Sequence, residues 1–151
     1  MIGQTLGHYH IVEKIGVGGM GEVYRSRDGQ LDCHVALKVL PPGTIADETA
    51  GKLFRKEPLA LAKLNHPNIE TVFEFSTQDG KDFLAMELIP GSSLRERLKQ
   101  GHLPAELYFA WVTQSVKGRV AAQEHGVVHR DLKSYGQRRV SVHVHQTSDT
   151  R

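Results

Sequence analysis

Short segments rich in strand-forming residues alternate with turn residues along the first part of the chain. They run from His10 to Ile15, Glu22 to Arg27, Cys33 to Leu40, Ile69 to Ser76 and Lys81 to Leu88. Glycine-rich or Asp-Gly sequences separate the first three segments, and another Asp-Gly pair separates the last two, as in tight turns. The pattern predicts a sheet of five antiparallel strands.

A helix is predicted between the third and fourth of these strands. Residues 47–64 carry apolar side chains at helical spacing, but Pro58 lies inside the segment. A proline inside a helix removes one hydrogen bond and clashes with the preceding turn, which costs about 3 kcal/mol. We therefore expect a kinked helix, or one that restarts at Pro58.

Two further helices are predicted after the last strand. Ser93 and Glu96 match a capping box that opens a short helix ending at Lys99. Pro104 suits the first position of a longer helix, and Gly126 suits the position just past its end. The apolar stripe of this longer helix comprises Leu107, Trp111, Val112, Val116 and Val120.

The composition is that of an ordinary globular protein. Of the 151 residues, 24% are charged and 39% are apolar, and the net charge is only +2. The basic residues are scattered, so we expect no binding to nucleic acid, which would require a basic stripe or patch.

Cysteine usage and hydropathy bear on the location of the protein. Cys33 is the only cysteine, so no internal disulfide can form, which fits a reducing compartment. The N-terminus lacks a signal-peptide pattern, and no apolar stretch approaches the roughly 20 residues that span a bilayer. We expect no membrane segment in this chain and a cytoplasmic location.

A glycine-rich motif lies between the first two predicted strands. Residues 16–23 read G-x-G-x-x-G-x-V, and glycine lets a backbone approach phosphate groups without a clash at Cβ. The dinucleotide-binding fingerprint shares the glycine spacing, but it runs from a strand into a helix. Here the motif runs from a strand into a strand. The alternative to a phosphate-binding loop is a glycine-rich hairpin without a ligand.

A lysine among apolar residues on the third predicted strand is a second candidate. Lys38 ends the run Val-Ala-Leu-Lys, and a lysine on a buried strand is costly unless it is paired. A phosphate and a carboxylate are natural partners, and Glu57 on the following helix could supply the carboxylate. Each residue also has an ordinary explanation, Lys38 as an edge lysine that reaches solvent and Glu57 as a surface residue.

A charged segment follows the longer predicted helix. Residues 129–133 read His-Arg-Asp-Leu-Lys. The neighbouring cations keep Asp131 ionised at neutral pH, so its carboxylate can accept a proton or a hydrogen bond from a hydroxyl group. Taken alone, the segment is also compatible with a charged surface loop.

Together, the three motifs resemble the signature of the protein kinases. A glycine-rich loop, the lysine of a V-A-I-K strand and an H-R-D catalytic loop occur in this order in the family, and the similarity covers residues 9–133. Residues 17–24 and 125–131 look like bacterial kinases of the eukaryotic-like serine/threonine type. Lys133 is similar to serine/threonine rather than tyrosine kinases.

The resemblance implies an α+β fold in two parts. Residues 9–89 would form a small lobe with a five-stranded antiparallel sheet and one helix. Residues 90–133 would form a partial helical large lobe that carries the catalytic loop, with adenine bound between the lobes. Residues 134–151 diverge from the family and are expected to form a poorly ordered tail.

The resemblance also implies ATP as a cofactor. Gly16, Gly18 and Gly21 would cover its phosphates, and Lys38 would hold the α- and β-phosphates and pair with Glu57. The complete set of implied nucleotide-binding residues is Ile15, Gly16, Val17, Gly18, Gly19, Met20, Gly21, Glu22, Val23, Ala36, Lys38, Glu57, Met86, Glu87 and Ile89.

Within this set, five residues would surround adenine. Val23 and Ala36 would form an apolar roof over the ring, and Met86 matches the gatekeeper at the end of the fifth predicted strand. Backbone groups of Glu87 and Ile89 would form hydrogen bonds to the edge of the ring.

The catalytic roles implied by the resemblance fall on two residues. Asp131 would act as the catalytic base and orient the hydroxyl of a protein Ser or Thr. Lys133 would neutralise charge on the transferring phosphoryl group, and Mg²⁺ would accompany ATP.

The residues past Lys133 depart from the family pattern. Gly136 stands where the H-R-D-x-x-x-x-N loop has the asparagine that holds Mg²⁺. Asp149 lies roughly 18 residues past the catalytic Asp, where a D-F-G aspartate is expected, but neither Phe nor Gly follows it. The Mg²⁺ site is therefore incomplete, and turnover should be very low or absent. His143 and His145 lack a third ligand, so no metal site is predicted there.

Three functional hypotheses remain open. The first is ATP-dependent phosphorylation of Ser or Thr on proteins. The second is a nucleotide-binding or partner-binding kinase remnant without catalysis, and the third is a defective fragment. Gly136 and the missing D-F-G favour the last two for this chain, whereas Lys38, Glu57 and Asp131 favour the first for its family.

The abrupt loss of similarity between Lys133 and Tyr135 suggests a shifted reading frame or a truncated gene. Under the first hypothesis, another frame of the parent DNA encodes an asparagine-containing loop and a D-F-G sequence downstream. Translation of the DNA in the other two frames checks this, and absence of these motifs from both frames rejects it.

Overall fold

The computed structural model describes residues 1–18, 21–42, 64–91, 94–101 and 103–126. The chain forms two compact units, the first from Met1–Asn65 and Thr71–Ile89 and the second from His66–Glu70 and Pro90–Arg151. The helix predicted at 47–64 lies outside the described residues up to position 63.

An antiparallel sheet forms the described part of the first unit. Its strands are β1 (Thr5–Leu6), β2 (Tyr9–Gly18), β3 (Gly21–Asp28), β4 (Cys33–Val39), β5 (Val72–Gln78) and β6 (Lys81–Glu87). They are ordered β1-β2-β3-β4-β6-β5. All five predicted strands are present, and β4 pairs with β6 rather than with β5, its successor in the chain.

The sheet has one strand more than the sequence pattern predicts. β1 has only two residues, too few to show an alternation of polar and apolar side chains. Leu6 is nevertheless buried and pairs with Tyr9. Gly7 turns the chain between them at a φ of +60°, a conformation that favours glycine.

β5 begins at Val72 rather than at the predicted Ile69. A turn precedes the strand, in which the Ile69 N–H donates to the His66 carbonyl oxygen at 3.0 Å. The Asn68 N–H donates to Nδ1 of His66 at 3.1 Å. Because these bonds satisfy the backbone locally, the segment does not extend the sheet.

The hydrophobic core lies on one face of the sheet, which we call the core face. Ile11, Leu37 and Phe83 are almost fully buried there, and Tyr9 packs edge-on against Phe83 with ring centroids 6.1 Å apart. The other members are Leu6, Tyr24, Val35, Val39 and Ala85. Each large side chain buried in this way contributes about 1.5–3 kcal/mol, so this face stabilises the sheet.

A β-bulge in β2 precedes the glycine motif. The pairing of β2 with β3 skips Ile15, so that Lys14 lies opposite Tyr24 and Gly16 lies opposite Val23. A bulge inserts one unpaired residue and thereby shifts the alternation of side chains between the two faces. Lys14 and Gly16 consequently occupy opposite faces, although only one residue separates them.

Two helices form the described part of the second unit, α1 (Leu94–Lys99) and α2 (Ala105–Glu124). Pro104 occupies the cap position before α2, one residue earlier than predicted. Gly126 lies just past the helix end at a φ of +78°, as predicted, and its N–H donates to the Gln123 carbonyl oxygen at 2.9 Å.

Among the described residues, no helix combines the length and apolar character needed to cross a membrane.

The buried face of α2 differs from the predicted apolar stripe. Val116 and Val120 are 53% and 50% exposed, whereas Gly118 and Ala122 are buried. The backbone of Asn68 packs on Gly118, where an added Cβ would lie 2.8 Å from the Asn68 carbonyl oxygen. Val116 and Val120 belong to the predicted apolar stripe, whereas close packing on the buried side of α2 depends on Gly118, which has no side chain.

We predict that Gly118→Ala lowers the stability of the second unit. In an exposed helix this change would stabilise by about 1 kcal/mol, but here the methyl group would displace the Asn68 backbone, at a cost of about 1–3 kcal/mol. We expect a lower urea midpoint for loss of helical circular dichroism. The control is Thr113→Ala at an exposed position of α2, which should be neutral or stabilising. An unchanged or higher midpoint for Gly118→Ala would contradict the close contact.

Candidate nucleotide-binding site

The strand register brings the glycine motif and the predicted lysine into one row. Val23 of β3 pairs with Gly16 of β2 on one side and with Lys38 of β4 on the other. Lys38 pairs in turn with Leu84 of β6. Since directly paired residues of a sheet present their side chains on the same face, this row lies on one face across four adjacent strands.

A second row adds two predicted adenine contacts to this face. Ala36 lies two residues before Lys38 in β4 and pairs with Met86 of β6, and residues i and i+2 of a strand share a face. Leu37, between Ala36 and Lys38, belongs to the core, so this face is opposite the core face. We call Val23, Ala36, Lys38 and Met86 the lysine face.

Apolar side chains flank Lys38 on the lysine face. Ala36 is buried, and Val23, Lys38 and Met86 are half-buried. A lysine amine in such surroundings favours an anionic partner, because a charge removed from water must be compensated. The face therefore combines apolar area suited to a planar ring with a cation suited to a phosphate.

The glycines beside this row have no side chains that would cover the backbone. Gly16 lies in the row of Lys38, and Gly18 pairs with Gly21 where the hairpin closes. Gly21 has a φ of +115°, and an added Cβ would lie 2.0 Å from the Val39 carbonyl oxygen. Glycine is therefore required at position 21 by the packing of β3 on β4, in addition to any close approach of a ligand.

Two predicted site residues do not present their side chains on the lysine face. Val17 and Glu22 pair with each other and alternate along the strands with Gly16 and Val23, so their side chains lie on the core-face side. Val17 is 73% exposed. Ile15 is the bulged residue and has no partner in the β2–β3 register. A nucleotide on the lysine face would meet the backbone of Val17 and Glu22 rather than their side chains.

The Glu22 carboxylate instead binds two side chains of the sheet. It accepts a hydrogen bond from Lys14 Nζ and another from the Tyr24 hydroxyl. The bond from Lys14 and then the bond from Tyr24 lower the pKa of Glu22. Burial, followed by the hydrogen bond to Glu22, raises the pKa of Tyr24 to about 12. Both contacts therefore have an ionised acceptor at neutral pH, which strengthens them.

The predicted adenine-binding backbone lies at the end of β6. The Glu87 N–H donates to the Thr71 carbonyl oxygen at 2.8 Å, so this donor is used within the first unit. The predicted contacts to adenine then fall on the Glu87 carbonyl oxygen and on the backbone of Ile89. Met86 precedes both residues on the lysine face.

The remaining predicted site residues lie outside the described residues. They are Gly19, Met20, Glu57, Asp131 and Lys133. Gly136 and Asp149, which occupy the positions compared with the family's Mg²⁺ ligands, lie outside as well. In the described ranges, no group of three or more His, Cys, Asp or Glu residues could hold a metal ion.

A cavity of about 540 Å³ lies elsewhere in the first unit, near the turn between β3 and β4. Its lining comprises Ile2, Gly3, His10, Ile11, Val12, Arg27, Asp32 and His34. Arg27 Nε donates to Asp32 Oδ1 at 2.8 Å, so the guanidinium charge is balanced within the wall. The lysine face does not contribute to this cavity, and we assign no ligand to it.

Comparison with known proteins identifies the family. The sequence matches the protein kinase domain over residues 9–135. The chain belongs to the protein kinase family. Its structure also matches the crystal structure of the PknI kinase domain from Mycobacterium tuberculosis, with a TM-score of 0.78 and 30% sequence identity. The match covers 87% of this chain and 54% of that chain, and it confirms the predicted kinase-like α+β fold.

Curated relatives carry the names of bacterial serine/threonine-protein kinases. PknL of Mycobacterium tuberculosis is 39% identical over 126 residues, which are 83% of this chain and 32% of PknL. The kinase pkn3 of Myxococcus xanthus is 38% identical over 135 residues, 87% of this chain and 25% of pkn3. The predicted resemblance to bacterial kinases is confirmed, and the chain spans about a quarter to a third of the length of these two relatives.

Proposed function

We propose that this chain binds ATP and supplies part of an enzyme that transfers the γ-phosphoryl group to Ser or Thr of proteins. The register that sets Lys38 opposite Val23 and in one row with Gly16 carries the proposal. Phosphoryl transfer depends chiefly on positioning and on neutralising the charge of the phosphates. A lysine that the strand register places in one row with a glycine backbone meets both requirements.

Each residue of the lysine face would have a distinct role in binding. Val23, Ala36 and Met86 would contact the adenine ring, and Lys38 would bind the α- and β-phosphates. Glu57, as predicted from the family resemblance, would hold the lysine in place. These assignments agree with the apolar surroundings of Lys38.

Catalysis would require residues beyond the lysine face. Asp131 would accept a hydrogen bond from the substrate hydroxyl, and Lys133 would neutralise the phosphoryl group in transfer. Mg²⁺ would supply further charge neutralisation when bound, but Gly136 offers no ligand and the D-F-G sequence is missing. The residues present do not fit a complete Mg²⁺ site, so we derive no step through the metal.

A kinase remnant that binds a nucleotide without catalysis is the second candidate. Gly136 favours it for this chain, because glycine has no side chain to hold Mg²⁺, and nucleotide binding at the lysine face needs no ligand from that position.

For the enzyme of which the chain is part, we propose a protein substrate that presents Ser or Thr and a cytoplasmic location. The family membership and the single cysteine support these two proposals.

We predict that ATP raises the melting temperature of the chain and that Lys38→Ala removes at least about half of this effect. A ligand at about 100 times its Kd stabilises the folded state by about 2.7 kcal/mol. Loss of the lysine should weaken ATP binding at least about tenfold, equivalent to about 1.4 kcal/mol. A thermal-shift titration with and without Mg²⁺ measures both quantities.

Lys81→Ala is the matched control for this titration. Lys81 also lies in the sheet, but its side chain lies on the core face, because Lys81 and Phe83 are two residues apart in β6. Its ATP response should equal that of the wild-type chain. An absent response in the wild type, or an equal response in Lys38→Ala, would refute nucleotide binding at the lysine face. Incorporation of labelled phosphate into a protein, lost in Asp131→Asn, would separate the enzyme from the remnant.

A further inference from the structure

Three side chains connect β2 and β3 next to their glycine-motif residues 16–18 and 21, which we call the glycine hairpin. Lys14 of β2 and Tyr24 of β3 are direct partners across the sheet, and both bind the carboxylate of Glu22. We call Lys14, Glu22 and Tyr24 the hairpin brace. The glycines of the motif begin two residues after Lys14 and end just before Glu22, so the brace joins the two strands that carry them.

The brace spans the β-bulge at Ile15. Glu22 pairs along the ladder with Val17, which lies past the bulge, whereas Lys14 lies before it. The ion pair between Lys14 and Glu22 is therefore diagonal and bridges the irregular position. Bulges bend a strand and increase its twist, so an interaction across a bulge constrains the direction in which the following residues leave the sheet.

The brace is anchored in the hydrophobic core. The side chains of Lys14 and Glu22 are 40% and 39% exposed, but Tyr24 is a core residue only 3% exposed. Its ring fixes the position of the hydroxyl, which holds the Glu22 carboxylate from the core side. The pair is thus better defined in position than an ordinary surface ion pair, which pays side-chain entropy at both ends.

We propose that the hairpin brace positions the glycine hairpin over the lysine face and thereby sets the affinity for ATP. The brace lies on the core-face side, opposite Val23 and Lys38, so it acts through the backbone and not by contact with the nucleotide. Lys14, Glu22 and Tyr24 are positioning residues in this sense. The link to affinity rests on the proposed ATP-binding function, whereas the constraint on the hairpin does not.

The experiment compares Glu22→Gln with Glu13→Gln in the complete 151-residue chain. Glu13 forms an ion pair with Arg25 at 3.0 Å between the same two strands, but this pair is not diagonal across Ile15. Both changes replace a carboxylate with an amide of the same shape and remove one inter-strand ion pair. Glu22→Gln also removes the charge that strengthens the hydrogen bond from Tyr24, and the two variants differ in their relation to the bulge at Ile15.

Amide hydrogen exchange by NMR in the ATP-free protein tests the constraint on the hairpin. In Glu22→Gln, the exchange rates of the Gly16, Val17 and Gly18 amides should rise about three- to fivefold, the factor expected from the loss of one exposed ion pair. In Glu13→Gln these rates should remain at the wild-type value. Equal rates at the three amides in both variants would overturn the proposal.

Binding of ATP, measured by titration calorimetry, tests the link to affinity. The Kd of Glu22→Gln should rise by the same three- to fivefold factor, while Lys14→Arg, which keeps the ion pair, should retain the wild-type Kd. Unchanged affinity in Glu22→Gln would overturn the positioning role. If the wild type binds no ATP, the proposed function fails, and the exchange comparison still decides whether the brace constrains the hairpin.

Discussion

The antiparallel pairing of β3 with β4 sets Val23 directly opposite Lys38, and the remaining features of the candidate site depend on this register. A slip of one residue would move Lys38 to the core face, where Leu37 and Phe83 exclude a charge. The buried side chains of the core face therefore hold the lysine on the opposite side. Gly21 contributes to the same constraint, because only glycine lets β3 approach the Val39 carbonyl oxygen so closely.

The site is accordingly built on rigid elements. Val23, Ala36, Lys38 and Met86 come from three neighbouring strands whose side chains on the other face form the core. The glycine hairpin extends two of the strands in the same sheet. Binding groups supported in this way keep their relative positions without a ligand, which lowers the ordering cost of binding.

Sequence reasoning predicted the parts of the fold that depend on local patterns. The strands around Leu37 and Phe83 show strand-forming residues between turn signals, and Gly126 ends α2 as its conformational freedom indicates. β1 was missed because two residues carry no pattern. The burial of Gly118 could not be predicted, since it depends on how closely Asn68 approaches it, a contact between segments distant in sequence.

The candidate site shows the same limit. The family resemblance selected Lys38 and the glycines, but it treated residues 15–23 as one binding loop. The register separates this loop into positions that face Lys38 and positions, such as Glu22, that bind the sheet itself. Lys14 and Tyr24 were missed because the bulge at Ile15 cannot be seen in an alternation pattern. The only available signal was a pair of opposite charges, Lys14 before the glycines of the motif and Glu22 after them.

The most direct test of a phosphate site at Lys38 uses an acyl-phosphate derivative of ATP, which transfers its acyl group to a lysine amine close to the bound phosphates. Digestion and mass spectrometry then identify the labelled lysine. We expect the label on Lys38, with suppression by an excess of unmodified ATP. Labelling spread over other lysines, or labelling of Lys38 that ATP does not suppress, would contradict a nucleotide bound to the lysine face.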